Sequence, residues 1–504
     1  MTTLQPGSNK PAALSNASQY LKFMSSACLA DAGRLFGCTN YKTGTQTMEN
    51  TLEVFDRLVR DLLADEAQNP VAEHVPSGKV YERLDLKLQN EGISASELEA
   101  SLKDLIFTSP RTATNGFFNQ LFGGRQDKAI LGDLLSVILN NSMATYKAAG
   151  PQIAVEKAVL REVCDMISWG PESDGTLAPG GSMTNFMGML MARDAFNETT
   201  RFAGVHQKMT VYTSIESHYS TPKNAAFSGI GRDNVRMIAT DTKGRMDNAA
   251  LRKAIQDDIA NGFHPVLINC TAGTTVLGAF DNLVEAAAIA KEFNIWLHVD
   301  GAYGGSVLFS DTYRHLVEGV ELVDSFTINA HKMLGTPLSC SLIVVKNKKN
   351  LHNSFSNDAS YLYQTDHDGF NPGKTSIQCG RRNDALKLWA LWKSVGTNGL
   401  QDIVNTQFDL ADTGRDYVRN HPDYTDYSVD DTVAVCFNYK GIPATDLCTA
   451  LYEHSELLVG YGSFREDTFV RLVTINATNE TQDILNFFKT LETFVAENPE
   501  LLSA

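Results

Sequence analysis

The chain has 504 residues, 43% of them hydrophobic and 20% charged, enough apolar material for a large core divided among two or three domains. Lys and Arg number 43 against 59 Asp and Glu, a net charge of −16 that argues against broad electrostatic attachment to nucleic acid or to an anionic membrane. Eight cysteines without a C-x-x-C pair point to reduced thiols in a cytoplasmic setting and to no metal site, and no apolar run approaches the length that crosses a bilayer.

Residues 1–17 are rich in Ser, Ala, Asn and Pro, without an apolar signal core or the arginines of a transit peptide, and are expected to form a mobile tail. A helical region is expected over 18–109. Within it Met48, Leu52, Phe55, Leu58, Val59 and Leu62 recur at helical spacing, either as a core-facing stripe or as the face of a subunit-clasping helix. From 110 to 384, short β-branched runs alternate with helical segments and glycine turns, the pattern of a parallel α/β sheet. The expected strands are 209–213, 235–239, 265–269, 295–299, 325–329 and 341–345. Residues 385–504 read as a smaller α+β domain, with a strong helix over 384–393 and strands near 432–438 and 468–474.

The chemistry-bearing residues fall where expected strands end. Lys332 lies in I-N-A-H-K-M-L at 328–334, and Asp300 lies 32 residues earlier in H-V-D-G-A-Y-G-G at 298–305. One strand and one connection separate them, so both side chains can meet at one sheet edge. A lysine there can carry an aldehyde cofactor, although a single lysine after a strand is ordinarily solvated. A carboxylate ending an apolar strand calls for a cationic partner, which a protonated pyridine nitrogen would supply; otherwise it caps the following turn. A-P-G-G-S-M-T-N at 178–185 opens a helical run and can cradle a phosphate or simply cap the helix. His218 in E-S-H-Y-S can stack on a ring or sit in the core, and T-A-G-T-T at 271–275 offers hydroxyls at another strand end. No dinucleotide or P-loop fingerprint is present.

These segments, together with F-F-N-Q-L at 117–121, D-A-S-Y-L-Y-Q at 358–364, S-I-Q-C-G-R at 376–381 and F-V-R-L-V at 469–473, resemble the group II pyridoxal-phosphate decarboxylases. The similarity covers roughly residues 50–495 and points to the glutamate and cysteine sulfinate decarboxylase branch. It implies an α/β fold of PLP-dependent transferase fold type I, aspartate aminotransferase-like, with a mixed, mostly parallel seven-stranded sheet and flanking helices. Residues 18–109 would clasp a dimer, 110–384 would bind the cofactor, and 385–504 would be the small domain.

By the same resemblance Lys332 is the Schiff-base lysine and Asp300 pairs with the pyridine nitrogen, while His218 and Ala302 lie against the two ring faces. Ser182, helped by Asn329 and His331, binds the phosphate; Gly181, Met183 and Thr274 complete the cofactor site. Arg471 holds a substrate carboxylate, with Asn119 and Gln120 where related enzymes read the distal group. Tyr361, on a loop over 354–374 that reaches a neighbouring subunit, protonates the α-carbon.

The implied reaction is α-decarboxylation of a small acidic L-amino acid, namely cysteine sulfinate, aspartate or glutamate, in a homodimer with shared active sites. Diaminobutyrate is the alternative substrate, and an aminotransferase or a non-catalytic cofactor-binding protein are the rival functions. Two positions depart from the family pattern: Ala330 replaces a proline before His331, and Gly301 replaces an alanine after Asp300.

Overall fold

The computed structural model is organised around a seven-stranded sheet of β1 (Asp174–Ala178), β2 (Met209–Ser214), β3 (Val235–Ile238), β4 (His264–Thr271), β5 (Trp296–Gly301), β6 (Ser325–Asn329) and β7 (Ser341–Val345). Their order in space is β1-β7-β6-β5-β4-β2-β3. Strand β7 runs antiparallel to both its neighbours, and the other pairings are parallel, which is the mixed, mostly parallel sheet expected. Six strands fall on the β-branched runs. Strand β1 does not, because D-G-T-L-A has little strand propensity and is held by its ladder to β7. A Cβ on Gly175 would lie 2.5 Å from the Ile343 carbonyl and 2.8 Å from Leu160, so this close approach admits only glycine.

The structure describes residues 45–69, 71, 73–357, 359, 361–363, 368–454 and 457–503. The tail expected at 1–17 lies outside them, as does part of the 354–374 loop. The chain divides into two compact units, one ending at Leu63 and the other beginning at Ala64. Helix α1 (Thr45–Glu66) bears the apolar stripe read from the sequence, but Met48, Leu52 and Phe55 are exposed and only Leu58 of the six is buried. The stripe is therefore not a core-facing one along its whole length.

Helix α2 (Ala95–Thr108) starts at a capping box: the Ser94 hydroxyl accepts from the Glu97 amide, and the Glu97 carboxylate accepts from the Ser94 amide. Next come α3 (Asp127–Leu139) and α4 (Gln152–Met166). Helix α5 (Gly181–Phe196) follows β1 and covers one face of the sheet. Strand β5 shows how that face differs from the other. Leu297 and Val299 enter the main apolar core, whereas Trp296, His298 and Asp300 alternate onto the α5 side.

A long helix, α6 (Ala385–Asn420), breaks at Gly396, where φ is 70°, and leads into a four-stranded antiparallel sheet. Its strands are β8 (Tyr424–Asp426), β9 (Ala434–Tyr439), β10 (Gly460–Phe464) and β11 (Asp467–Val473). Phe118, Leu410, Phe437, Leu472 and Phe487 belong to the core beneath it.

Helix α3 is two-faced. Ala129, Gly132 and Ser136 are buried at spacings of three and four, while Leu131, Leu134, Leu135 and Ile138 are exposed. A Cβ on Gly132 would lie 2.8 Å from the Leu386 carbonyl and 2.9 Å from the Lys387 Cα, both backbone atoms of α6. Gly132→Ala should therefore destabilise the protein by about 1–2 kcal/mol despite its better helix propensity, because overpacking costs more than the ~1 kcal/mol that propensity returns. A thermal midpoint at or above that of the wild type would show that α3 is not pressed against α6.

Candidate active site

Parallel strands bring their carboxyl ends to one edge of the sheet, and residues that follow five strands line one cavity of about 210 Å³. Gly181, Ser182 and Asn185 come after β1, and His218 and Tyr219 after β2. Thr271, Gly273 and Thr275 end or follow β4; Asp300, Ala302 and Tyr303 belong to β5 and its loop; Asn329, His331 and Lys332 belong to β6 and its loop. Gly180 allows the tight entry into α5 with φ 123°. The first backbone bonds of α5 run from Met183 and Thr184 to the Gly180 carbonyl, so the Gly181 and Ser182 amides precede them at the positive end of the helix dipole. A Cβ on Gly181 would come within 2.9 Å of the Asn329 amide and 3.0 Å of Ala302, so the helix start is pressed onto the β5 and β6 loops.

Asp300 is 5% exposed and both its oxygens are used. Oδ1 accepts from the Ala302 amide at 3.0 Å and Oδ2 from Asn185 Nδ2 at 2.6 Å. Thr271 and Thr327 lie in register on either side of Asp300, and both of their hydroxyls are buried without a partner. Burial pulls the Lys332 amine below the usual lysine range, with the Asp300 carboxylate pulling the other way. Burial likewise lowers His218, whose Nδ1 accepts from the Ser220 amide at 3.2 Å. His331 is pulled down to about 4 by burial, and its Nδ1 is 3.0 Å from the Cys340 amide nitrogen. The cavity thus combines a lysine inclined towards the free amine with a fixed carboxylate.

Arg471, on β11, donates from Nη1 to the Thr275 carbonyl at 2.6 Å and from Nη2 to the Asn119 carbonyl at 2.8 Å. Its Nε is buried and has no partner.

The sequence profile described as the pyridoxal-dependent decarboxylase conserved domain matches residues 77–440. The chain belongs to this decarboxylase family. It is 36% identical over 408 residues to acidic amino acid decarboxylase GADL1 of Mus musculus, covering 80% of this chain and 74% of that protein. It is 37% identical over 373 residues to cysteine sulfinic acid decarboxylase of Homo sapiens, covering 71% and 76%. The crystal structure of mouse CSAD superposes with a TM-score of 0.81 at 31% identity, over 87% of this chain and 98% of that one. The decarboxylase is a carboxy-lyase, and its cofactor is pyridoxal phosphate.

The cavity fits that cofactor. Lys332 is an amine within it, Asp300 is a fixed anion, and Thr271 Oγ1 and Asn329 Oδ1 are buried polar atoms at its wall that lack partners. Of the cofactor residues expected from the sequence, Gly181, Ser182, His218, Asp300, Ala302, Asn329, His331 and Lys332 line it. Met183 packs instead against the apolar cluster of Ala178 and Met187, because the first turn of α5 rotates it away. Thr274 spends its hydroxyl accepting from the Ala279 amide at 3.0 Å, which leaves Thr271 and Thr275 as the threonines at the wall.

Asn119 meets Arg471 through its main-chain carbonyl, and Gln120 is exposed; none of the three lines the cavity of this chain. Tyr361 is 80% exposed and lies outside it. Sequence reading missed Asn185 and Tyr303. The available signal for Asn185 was its place four residues after Gly181 and three before Gly188, on the helix stripe that faces the sheet. Gly301 also gains a reason: a Cβ there would lie 2.6 Å from the Thr327 carbonyl, so this decarboxylase needs glycine after its aspartate.

Both buried imidazoles, His298 and His331, are pulled from 6.5 to about 4, so between those pH values the unfolded chain binds protons that the folded chain refuses. The stability they contribute is complete above pH 6.5 and is lost as the pH falls towards 4. Asp281, pushed up to about 6 by burial, opposes this in part, because the folded state takes up that proton first. The thermal midpoint should fall across this window, and more gently in His331→Asn; equal slopes would mean that His331 titrates as it does in the unfolded chain.

Proposed function

We propose that this decarboxylase removes the α-carboxylate of a small acidic L-amino acid, namely cysteine sulfinate, aspartate or glutamate, at sites completed across a homodimer. The observation that carries the substrate class is the half-buried Arg471, whose Nε is shut off from solvent. Its hydrogen-bond partners are neutral carbonyls, its Nε has none, and among the described residues no carboxylate pairs with it. A guanidinium held partly out of water without a counter-charge is costly, and a substrate carboxylate would supply both the missing charge and an acceptor. The names of the relatives, acidic amino acid decarboxylase and cysteine sulfinic acid decarboxylase, agree with this class.

Lys332 holds the cofactor aldehyde through its amine and Asp300 faces the ring nitrogen. His218 and Ala302 flank the ring, and Ser182, Asn329 and His331 bind the phosphate, with the helix dipole of α5 behind them. Pyridoxal phosphate, when bound, supplies the electron sink for the bond pair left as carbon dioxide departs. Arg471 orients the substrate, and the Tyr361 hydroxyl holds the proton that the α-carbon takes.

The dimer is supported by apolar faces that a lone chain would leave in water: Leu131, Leu134, Leu135 and Ile138 on α3, and Leu98, Leu102 and Leu105 on α2. A tyrosine standing out from its own chain suits a neighbour's site. In this reading residues 18–109 clasp the dimer, 110–384 bind the cofactor and 385–504 form the small domain. A cytoplasmic location agrees with the unpaired cysteines among the described residues.

Purified protein with pyridoxal phosphate should release carbon dioxide from at least one acidic member of an amino-acid panel. Arg471→Met should lower kcat/KM for that substrate by about 100-fold or more, the scale of removing one partner from a buried charge pair. Turnover confined to basic or aromatic amino acids would overturn the substrate class. Neither Lys332→Ala nor Tyr361→Phe should decarboxylate normally alone, yet their mixed dimer should regain activity, because one site then pairs an intact Lys332 with its neighbour's intact Tyr361. A mixture as inactive as its parents would reject the shared site.

A further inference from the structure

Behind Asp300 runs a line of buried polar groups that the cofactor reading does not use. Trp296 Nε1 donates to Ser325 Oγ at 2.9 Å, and Ser325 Oγ lies 2.7 Å from His298 Nδ1. His298 Nε2 lies 3.0 Å from Asn185 Oδ1, and Asn185 Nδ2 donates to Asp300 Oδ2 at 2.6 Å. Asn185, His298, Ser325 and Asp300 are all at least nine-tenths buried. Two spacings create the line. Period two on β5 puts Trp296, His298 and Asp300 on one face, and pairing in register puts Ser325 of β6 beside His298. Helix α5 then lays Asn185 across the gap between His298 and Asp300, with Gly188 packed so closely that a Cβ would lie 2.8 Å from the His298 ring.

The direction of each bond follows from the ends. A carboxylate only accepts, so Asn185 must turn its amide nitrogen to Asp300 and its oxygen to His298. His298 Nε2 must then carry a proton. Burial keeps this imidazole neutral, which leaves Nδ1 bare to accept from Ser325, and the Ser325 oxygen in turn accepts from the Trp296 indole, which can only donate. Every donor in the line points towards Asp300. A reversed Asn185 would set an oxygen against the carboxylate, so the carboxylate fixes the amide and His298 Nε2 completes the bond on its far side.

We propose that Asn185 and His298, backed by Ser325 and Trp296, are positioning residues that hold the Asp300 carboxylate in the one orientation suited to a cationic ring nitrogen in the cavity. The proposal rests on the reading that Asp300 faces that nitrogen. Neither residue touches the reacting atoms. The Ala302 amide anchors one carboxylate oxygen and Asn185 the other, so the relay sets the plane in which the remaining lone pairs meet the ring.

The test measures two properties of the full-length protein: its dissociation constant for pyridoxal phosphate, and the pH at which the visible absorbance of the lysine-linked cofactor changes form. The thermal midpoint of each cofactor-free variant reports folding. Asn185→Ala should weaken cofactor binding about tenfold or more, the scale of one lost hydrogen bond to a charged group, and should shift the absorbance transition. Ser325→Ala, a small deletion expected to fold, should act in the same direction by roughly threefold, the scale of a neutral hydrogen bond. His298→Leu should resemble Asn185→Ala, and His298→Gln, whose amide nitrogen can replace Nε2, should recover most of the loss. Asp300→Ala is the control for the underlying reading. If it binds cofactor as the wild type does, the role given to Asp300 fails; if it is impaired while Asn185→Ala and Ser325→Ala both behave as wild type, the relay is overturned and Asp300 keeps its place.

Discussion

A lysine amine and a carboxylate share one buried cavity, and much of the surrounding structure answers to the cost of keeping them there. An ion taken from water loses several kcal/mol of solvation unless hydrogen bonds and an opposite charge replace it. For Asp300 the hydrogen-bonded part of the replacement is local and reaches both oxygens, through the Ala302 amide and Asn185. For Lys332 it is incomplete. The Asp300 carboxylate favours the charged amine, and desolvation outweighs it. The balance leaves the carboxylate anchored and the lysine inclined to the neutral form in which it can attack a carbonyl.

This asymmetry arises from how the sheet is built. Parallel strands send their carboxyl ends to one edge, so five separate loops contribute to a cavity of about 210 Å³ without a long excursion of chain. The interior face under α5 is polar along β5 and apolar on the reverse, so Asp300 and His298 sit in hydrogen-bonding range of a helix while Leu297 and Val299 supply the core. Thr271 and Thr327 flank the carboxylate with hydroxyls that have no partner in the protein. Of the two, Thr271 lies at the cavity wall, where a bound group can supply its partner.

Much of this was legible beforehand because it rests on patterns local in sequence. Six of the seven strands announce themselves as β-branched runs, and Lys332 and Asp300 are placed by the strands they end or follow. What was not legible depends on contacts distant in sequence. Strand β1 exists through its ladder to β7, 163 residues on at the Ala178–Ser341 pair and 171 at the Asp174–Val345 pair, and its glycine is explained by Leu160 and Ile343. Strand β10, with glycines at 460 and 462, likewise depends on β11. T-A-G-T-T offered three hydroxyls, of which the resemblance favoured Thr274, and only the turn geometry that gives Thr274 to the Ala279 amide moves the choice to Thr271 and Thr275. Asn185 looked like one polar residue in a helix, because the imidazole and carboxylate it joins lie 113 and 115 residues away.

The surroundings of Arg471, to which the proposed function gives the substrate carboxylate, are built differently from the sheet edge that carries Lys332 and Asp300. Residues 116–119 thread between two pieces of the smaller sheet region: the Phe118 amide donates to the Leu458 carbonyl at 2.8 Å, and the Val473 amide donates to the Phe118 carbonyl at 3.0 Å. Phe118 anchors this bridge in the core, edge-on to Phe487 at 5.1 Å between ring centres. The Asn119 carbonyl that steadies Arg471 is therefore placed by aromatic packing and strand-like bonds, none of which involves Lys332 or Asp300. Repacking Phe118 would move the guanidinium while leaving the sheet edge intact. The position of the guanidinium is thus set by packing that is separate from the sheet edge carrying Lys332 and Asp300.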